Sequence, residues 1–364
     1  MNHKLTLLFG MPRSGTTWIA KIFDSHPLTL YRHEPDSGGS LNEIPFFPDV
    51  KDWELYDERI QRFVDSLPGM DSLRISGSLP IFWKSYYSRT QRLIQHLGIA
   101  AGRTAEIIGR EWRLPSSITG NLDKRPHIVW KSIESAGRIG VITRALPEAR
   151  AILILRHPCA YIASVMTGES QQRFIDSDRS SEDYEVMEWL LAVSPNRLNT
   201  PSIEMMKTLA PVERLAWRWV LTNEKALRDT AGARNCAYVR YEDFCVEPFA
   251  KSWELLSFAG LKWDEQVSNF VKRSTSHHSK RYYSVFKDPV VSANKWQSEL
   301  SPVDIERVMK IVRDSPLRAL YDDQTVNGKI GNLSFNASEN GSMWVKSVRE
   351  KFNARAANVG GPQL

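Results

Sequence analysis

The sequence predicts an α/β protein whose central parallel sheet is covered by helices on both faces. Two observations lead to this class: short apolar runs alternate with segments of helical spacing, and a glycine-containing loop joins the first run to the first helical segment. Parallel strands need long crossover connections, which helices supply. We therefore expect three layers, α/β/α, with ligands bound at the carboxyl ends of the strands.

The first predicted unit is a strand, a loop and a helix. LTLLF at residues 5–9 is apolar, the loop FGMPRSGTTW follows it, and apolar residues with helical spacing begin at Trp18. Gly10 and Gly15 have the spacing of a phosphate-binding loop, so the predicted fold is P-loop NTPase-like. Thr16, however, stands where a nucleotide triphosphatase has the lysine that reaches the terminal phosphates. We therefore expect the loop to hold an anion other than the end of ATP.

Further runs continue the alternation. The predicted strands are LTLYRHEP, which is ended by Pro35, HIVWK at residues 127–131, AILIL at 151–155 and CAYVRYED at 236–243. The predicted helices are RIGVITRALP, between the third and fourth strands, and VERLAWRWVLTNEKALRD, before the last strand. This order of elements favours a single parallel sheet.

Two segments interrupt the pattern, at residues 36 to about 125 and at 168–210, and both are predicted to be helical insertions. Residues 1–326 are therefore expected to form one domain. The remaining residues, 327–364, begin as a Gly/Asn/Ser-rich linker and end in a segment with helical spacing. We expect that last segment to be a terminal helix docked on its own domain rather than one lying on a membrane.

Composition narrows the function. The 364 residues carry 48 Lys and Arg against 42 Asp and Glu, and this small excess suits an anionic ligand but does not indicate nucleic acid. Three cysteines without a C-x-x-C pair suggest neither a disulfide framework nor a zinc site. The first apolar run is too short for a signal peptide, and no stretch is long enough to span a membrane. We therefore expect a cytoplasmic protein that uses no metal.

The end of the fourth strand points away from ATP as well. A Walker-B strand would end in an aspartate that holds Mg²⁺, but AILILRHP ends in Arg156. A cation thus replaces the expected metal ligand, so this strand end is expected to meet an anion directly. Ser164 follows eight residues later, about two turns into the next helix.

Taken together, PRSGTTW, the Arg156 and Ser164 pair, YVRYEDF and the late NKW resemble the sulfotransferases that use 3′-phosphoadenylyl sulfate (PAPS). The four motifs occur in that family's order and span residues 5 to about 300. The resemblance implies transfer of a sulfuryl group from PAPS to an acceptor hydroxyl, leaving the desulfated nucleotide PAP. It also implies that the glycine loop holds the phosphosulfate and that Arg156 and Ser164 hold the 3′-phosphate.

The resemblance assigns further residues. It places the phosphosulfate on the loop residues Pro12, Arg13, Ser14, Gly15, Thr16 and Thr17 and on Lys131 at the end of the third strand, and it places the rest of the cofactor on Trp18, Tyr241, Lys295 and Trp296. Arg13 and Lys131 would also stabilise charge on the transferring group. Taken alone, Trp18 fits the buried face of a helix equally well, and Lys131 fits an exposed strand end.

The catalytic base has two candidates. Cytosolic small-molecule sulfotransferases use a histidine two residues after the strand-end lysine, and that position here is Ile133. Glu34 in YRHEPD resembles instead the acidic residue in the E-P motif of carbohydrate sulfotransferases. His33 is adjacent, and because neighbours on a strand point to opposite faces, only one of the two is expected to face the cofactor. We favour Glu34 as the base.

Two other functions remain open: an ATP-dependent small-molecule kinase with an atypical loop, and a protein that binds PAP without catalysis. The acceptor is expected to be a carbohydrate or glycolipid hydroxyl, because the sequence departs from the cytosolic small-molecule pattern. Candidates to line its cleft are Trp53, Trp83, Arg110, Trp112 and Arg113 in the first insertion, although such residues also pack and solubilise ordinary insertions.

Overall fold

The computed structural model describes residues 4–110, 112–115, 125–171, 180–194, 200–276 and 288–321. Within them lies a five-stranded parallel sheet in the order β2-β3-β1-β4-β5. Its strands are β1 (Leu5–Gly10), β2 (Thr29–His33), β3 (His127–Ser132), β4 (Arg150–Leu155) and β5 (Cys236–Arg240). The parallel sheet expected from the sequence is confirmed.

Helices cover both faces of the sheet. They are α1 (Thr16–Asp24), α2 (Asp57–Ser66), α3 (Leu73–Ser76), α4 (Arg89–Ile107), α5 (Ile139–Ala145), α6 (Pro158–Ser170), α7 (Tyr184–Val193), α8 (Ile203–Thr208), α9 (Pro211–Asp229), α10 (Tyr241–Val246), α11 (Pro248–Phe258), α12 (Glu265–Ser276), α13 (Pro289–Asn294), α14 (Trp296–Glu299), α15 (Pro302–Arg313) and α16 (Arg318–Tyr321). Short 3₁₀ helices occur at Val50–Tyr56 and Leu67–Gly69.

Alternation along β1 separates two apolar cores. Leu7 and Phe9 face the core that contains α5, α6 and α9, and Leu8 faces the core that contains α1, α11 and α12. All six residues of β1 are buried, as expected for a central strand covered on both sides. The register pairs Leu8 with Lys131 and Gly10 with Ile154, so the carboxyl ends of β1, β3 and β4 meet at one edge.

The predicted strand at 236–243 was wrong in its last three residues. β5 ends at Arg240, and Tyr241 begins α10. Glu242 and Asp243 in the first turn of that helix favour its positive N-terminal end, and Asp243 pairs with Arg240 at 2.7 Å.

Both insertions contain helices, joined by turns and irregular segments. The first contains α2, α3 and α4, and the second contains α7 and α8. The predicted linker and terminal helix at 327–364 lie outside the described residues. No helix in the described ranges is both long and apolar enough to cross a membrane.

Buried charges fix the first insertion to the sheet. Lys21 on α1 lies 2.7 Å from Asp24 and donates a 2.6 Å hydrogen bond to the carbonyl of Ser78. Lys84 lies 3.1 Å from the same carboxylate and donates to the carbonyl of His26 at 3.2 Å. Two buried lysines thus share one aspartate and bind main-chain carbonyls, which ties residues 78–84 to α1 and to the start of β2.

Candidate active site

The loop between β1 and α1 is shaped to hold an anion. The chain turns through left-handed conformations at Arg13 (φ 68°) and Gly15 (φ 79°) before α1 begins. The first amides of a helix have no intrahelical acceptor, and no acidic residue occupies the first turn of α1. A β-carbon at Gly15 would lie 2.2 Å from the ring of Tyr241, so the close fit of α10 over the loop requires glycine there.

A cluster of cationic groups stands beside this loop. Arg13 donates from Nε to the hydroxyl of Ser164 at 2.9 Å. Arg156 donates to the carbonyls of Arg13 at 2.6 Å and of Ser292 at 3.1 Å, and its guanidinium lies 5.1 Å from the centre of the Tyr241 ring. The structure therefore brings together Arg13, Arg156 and Ser164, which the sequence separates by up to 151 positions.

One hydrogen-bond donor of the Arg156 guanidinium is unsatisfied among the described residues. Its Nε is buried and has no hydrogen-bond partner among the described residues. Leaving a buried donor of a charged group unsatisfied is costly, so such an atom marks a place where an acceptor from outside the chain would be favoured. Guanidinium and hydroxyl donors are well suited to phosphate oxygens.

Trp18 and Tyr241 are both part of the core on the α1 side of the sheet. Trp18 is buried, donates from its indole nitrogen to the hydroxyl of Ser274 at 3.0 Å, and meets the Tyr241 ring edge-on at 5.8 Å. Tyr241 in turn lies between Gly15 and Arg156. The two rings thus pack between the core on the α1 side of the sheet and the loop with its cationic cluster.

Lys131 is buried, so it is not the exposed lysine at a strand end that the sequence alone also allowed. It is 1% exposed and forms an ion pair with Glu34, which follows β2. The amide of Glu34 donates to the carbonyl of Lys131 at 2.8 Å, so main chain and side chain both join the ends of β2 and β3. Burial lowers the pKa of Lys131, and the neighbouring carboxylate opposes that shift.

The expectation that His33 and Glu34 face opposite sides was wrong. Strand alternation ends at His33, and Glu34 has a left-handed backbone (φ 48°) that turns its side chain back. His33 Nε2 lies 3.7 Å from Glu34 Oε1 as a result. Both candidate bases therefore stand beside Lys131.

The protonation of this group follows from its surroundings. Burial and the Lys131 charge lower the pKa of His33 to about 4, so His33 is neutral near pH 7. Burial opposes ionisation of Glu34, but Lys131 and His33 outweigh it and lower the pKa of that carboxyl. Burial raises the pKa of Tyr31, whose hydroxyl lies 2.7 Å from His33 Nδ1. If the phenol donates to Nδ1, the ring proton is on Nε2 and points towards the carboxylate.

Sequence reasoning missed Asp36, two residues after Glu34. Its buried carboxylate accepts hydrogen bonds from the Trp130 indole nitrogen at 3.0 Å and from the hydroxyl of Ser135 at 2.6 Å, as well as from that of Ser132. These contacts join the loop after β2 to the loop after β3. Its position just after a strand end was the only signal available in the sequence.

The late segment contains Trp296 and Lys295, for which the resemblance implies contacts with the cofactor. Trp296 stacks on His157, the residue after Arg156, with ring centres 4.6 Å apart and planes 10° apart. The Lys295 side chain is 60% exposed and pairs with Glu299. The structure thus places Trp296 against the strand end that carries Arg156 and directs Lys295 to solvent.

The candidate cleft residues of the first insertion make separate contacts. Trp53 packs against the core on the α5 side, Trp83 lies under the guanidinium of Arg92 at 5.3 Å, and Arg113 is an exposed partner of Asp71 at 3.5 Å. Trp112 lies against Gly102, and Arg110 is exposed. No group of three or more potential metal ligands occurs within the described ranges.

The parallel sheet, its strand order and the glycine loop define a P-loop NTPase-like α/β fold. The sequence profile of the sulfotransferase family matches residues 6–265, and the chain belongs to this family. No curated protein matches the sequence.

Several solved sulfotransferase structures resemble the chain distantly. The sulfotransferase domain from the curacin biosynthetic pathway is 14% identical, with 86% of this chain and 97% of that chain covered and a TM-score of 0.43. The enzyme from Alicyclobacillus acidocaldarius is 12% identical, with 89% and 97% covered and a TM-score of 0.41. A mouse sulfotransferase complexed with PAP is 12% identical, with 89% and 90% covered and a TM-score of 0.40. Membership of the family is shown by the profile match to residues 6–265.

Proposed function

We propose that this protein is an active sulfotransferase that moves the sulfuryl group of PAPS to an acceptor hydroxyl on a carbohydrate or glycolipid. The observation that carries the proposal is the cluster of Arg13, Arg156 and Ser164 beside a phosphate-binding loop that lacks the Walker lysine. The E-P motif at Glu34 and Ile133 in place of the cytosolic-type histidine support the acceptor class.

The residues present fit PAPS chemically. Backbone amides at the start of α1 would hold the phosphosulfate, and the cluster of Arg13, Arg156 and Ser164, including the unsatisfied Nε of Arg156, would hold the 3′-phosphate. The pairing of Arg13 with Ser164 supports placing Arg13 nearer the 3′-phosphate than the sequence suggested. When bound, PAPS would supply the sulfuryl group, and PAP would remain.

Glu34, Lys131 and His33 have separate roles in the proposed transfer. Glu34 accepts the proton of the acceptor hydroxyl as that oxygen attacks sulfur, because it is ionised and lies at the end of β2 beside Lys131. Lys131 stabilises negative charge on the transferring group, because its ammonium group is a buried cation held in a fixed position. His33, whose Nε2 lies 3.7 Å from Glu34 Oε1, has a positioning role beside the carboxylate.

The two other functions make different demands. A kinase would need a lysine at Thr16 and a magnesium ligand at Arg156, and neither residue type supports that chemistry. In a PAP-binding protein without catalysis, Lys131 and Glu34 would only join the ends of β2 and β3, and PAP would bind without any sulfuryl transfer.

A transfer assay tests the proposal. Protein is incubated with PAPS labelled in the sulfuryl group and with panels of sugars, glycolipids and simple alcohols, and labelled product is separated from PAPS. We expect label on a sugar-bearing acceptor and none with Lys131→Met. Tight PAP binding without transfer to any acceptor would contradict catalysis, and transfer only to alcohols without sugar would contradict the acceptor class.

A further inference from the structure

Large apolar side chains are concentrated on the surface of the first insertion. Of the seventeen large apolar residues that are exposed in the described part of the chain, seven lie within residues 79–112. Four of these seven lie on α4 or directly after it, and each of the four is at least 60% exposed: Leu93, Leu97, Ile107 and Ile108. Single exposed apolar residues are ordinary, but a concentration of this kind marks a surface that contacts something else.

The inner face of α4 packs on the domain through small residues. Gly98 and Gly102 are buried, and a β-carbon added at these positions would lie 3.4 Å from Leu114 and 2.6 Å from Trp112, respectively. Ile99 beside them is buried in a small apolar cluster that also contains Leu114. The helix is therefore held on the domain without the larger apolar side chains of its outward face.

The outward face of α4 is apolar where a surface helix is normally charged. Leu93, Leu97 and Ile108 are separated by four and eleven positions, and 3.6 residues per turn places all three on one face. A surface helix ordinarily buries its large apolar residues and exposes its charged ones. Because α4 does the reverse, this outward face has the character of a contact surface for a partner outside the chain.

Positive charge accompanies this apolar face. Residues 89–110 contain one acidic residue, Glu106, and four arginines: Arg89, Arg92, Arg103 and Arg110. The guanidinium of Arg92 lies 5.3 Å from the centre of the Trp83 ring, and Trp83 is itself 45% exposed. Leucine, tryptophan and arginine together are typical of helices that lie at the boundary between lipid headgroups and acyl chains. The charge suits an anionic surface and disfavours contact with the same face of a second copy.

We propose that the outward face of α4, together with Trp83, docks this protein on an anionic lipid membrane. Leu93, Leu97 and Ile108 enter the boundary between headgroups and acyl chains, and the arginines contact the lipid phosphates. Docking needs no sulfuryl transfer, so it is independent of the proposed function.

Vesicle sedimentation of the full chain tests the docking. Vesicles of phosphatidylcholine alone are compared with vesicles that contain about one third phosphatidylglycerol. We expect binding to the anionic vesicles, weakened by added salt because salt screens the arginines. The double variant Leu93→Gln with Leu97→Gln should bind them at least about tenfold more weakly, because less apolar area leaves water. Arg89→Gln should bind about fivefold more weakly, since it removes one cation near the surface.

A matched double variant is Leu55→Gln with Val303→Gln, because these residues are 71% and 61% exposed and lie on other helices. It should bind vesicles like the wild type, and urea unfolding checks that both double variants remain folded. The proposal is overturned if the wild type does not bind anionic vesicles, or binds neutral ones equally well. It is also overturned if the α4 variant binds like the wild type, or if the matched variant loses as much.

Sedimentation velocity without vesicles covers the remaining occupant, a second copy of the chain. We expect the wild type and the α4 double variant to have the same oligomeric state. A wild-type dimer that dissociates in the α4 variant would assign this face to self-association and overturn the membrane proposal.

Discussion

At the residue scale, the proposed chemistry depends on a buried lysine whose partner comes from the neighbouring strand. Lys131 is the last residue but one of β3, Glu34 directly follows the neighbouring strand β2, and Asp36 joins the loops after the two strands. The electrostatic interaction of a buried charge is screened less than that of a charge in water. Because the side chain is already in position, it does not have to move when negative charge develops nearby.

Glu34→Gln tests the choice of base. Because a glutamine side chain cannot accept the proton, we expect kcat for sulfuryl transfer to fall by about 10²–10⁴-fold. PAP affinity should stay within threefold, since Glu34 is not in the cationic cluster. His33→Gln should cost much less, about tenfold, because His33 only orients Glu34. A larger loss in His33→Gln than in Glu34→Gln would reverse the two assignments.

Asp36 is proposed as a positioning residue. Asp36→Ala leaves three donors without their common acceptor, and each unsatisfied buried donor costs about 1–3 kcal/mol, so we expect about 3–5 kcal/mol of unfolding free energy to be lost. Asp36→Asn keeps one acceptor oxygen and should lose less, with kcat falling more than PAP affinity. Urea unfolding and steady-state kinetics measure the two effects. Asp52→Ala, at an exposed position, is the control. Asp36→Asn with wild-type kcat would contradict a positioning role.

The sequence was informative about residue types at this scale but not about their contacts. Local patterns placed Glu34, Lys131 and Arg156 at strand ends or just beyond them, and Ser164 two turns into the helix that follows the fourth strand. They could not show that Glu34 turns back beside His33, because that depends on one left-handed residue. They also did not identify Asp36, because its hydrogen bonds are to residues about a hundred positions away in the sequence.

At the element scale, the anion-binding loop depends on how closely α10 approaches it. The sequence identified β1, the loop and α1 because their glycine spacing and apolar pattern are local. The sequence-based prediction extended β5 by three residues, because Tyr241, Glu242 and Asp243 directly follow a strand-like run. In the structure, Tyr241 instead begins a helix that packs over the loop.

Gly15→Ala tests that approach. Alanine would be strained at φ 79°, and its β-carbon would meet the Tyr241 ring, so we expect at least a tenfold loss of PAP affinity. Gly232→Ala is a matched control with φ 77° and open space around it. Its cost should be only the backbone strain, about 1–2 kcal/mol of stability, with PAP affinity unchanged. Equal PAP affinity in the two variants would show that α10 does not shape the loop.

At the scale of the whole molecule, acid should weaken the fold through buried histidines. Burial, followed by the charges of Arg156 and Arg240, lowers the pKa of His157 to about 3, against about 6.5 in an unfolded chain. The unfolded state therefore binds a proton first as pH falls below about 6.5, and stability is lost progressively down to about pH 3. His33 and His127, with pKa values lowered to about 4, act in the same direction.

His157→Phe should reduce this acid sensitivity. Phenylalanine keeps the stack on Trp296, and Nδ1 of His157 has no hydrogen-bond partner within the described part of the chain. Between pH 7 and pH 5 we expect the variant to lose up to about 2 kcal/mol less unfolding free energy than the wild type. Urea titrations at both pH values measure this difference. An identical loss in both proteins would mean that His157 is protonated as easily in the fold as out of it.

The central claim is that the cationic cluster recognises a 3′-phosphate, and calorimetric titration with PAP, AMP and Mg·ATP tests it most directly. We expect PAP to bind the wild type well and AMP and Mg·ATP weakly. Arg156→Ala should lose about 10–150-fold in PAP affinity, the equivalent of a charged hydrogen bond. Arg113→Ala, at an exposed arginine, should bind PAP like the wild type. Tight Mg·ATP binding with weak PAP binding, or unchanged PAP affinity in folded Arg156→Ala, would contradict the account.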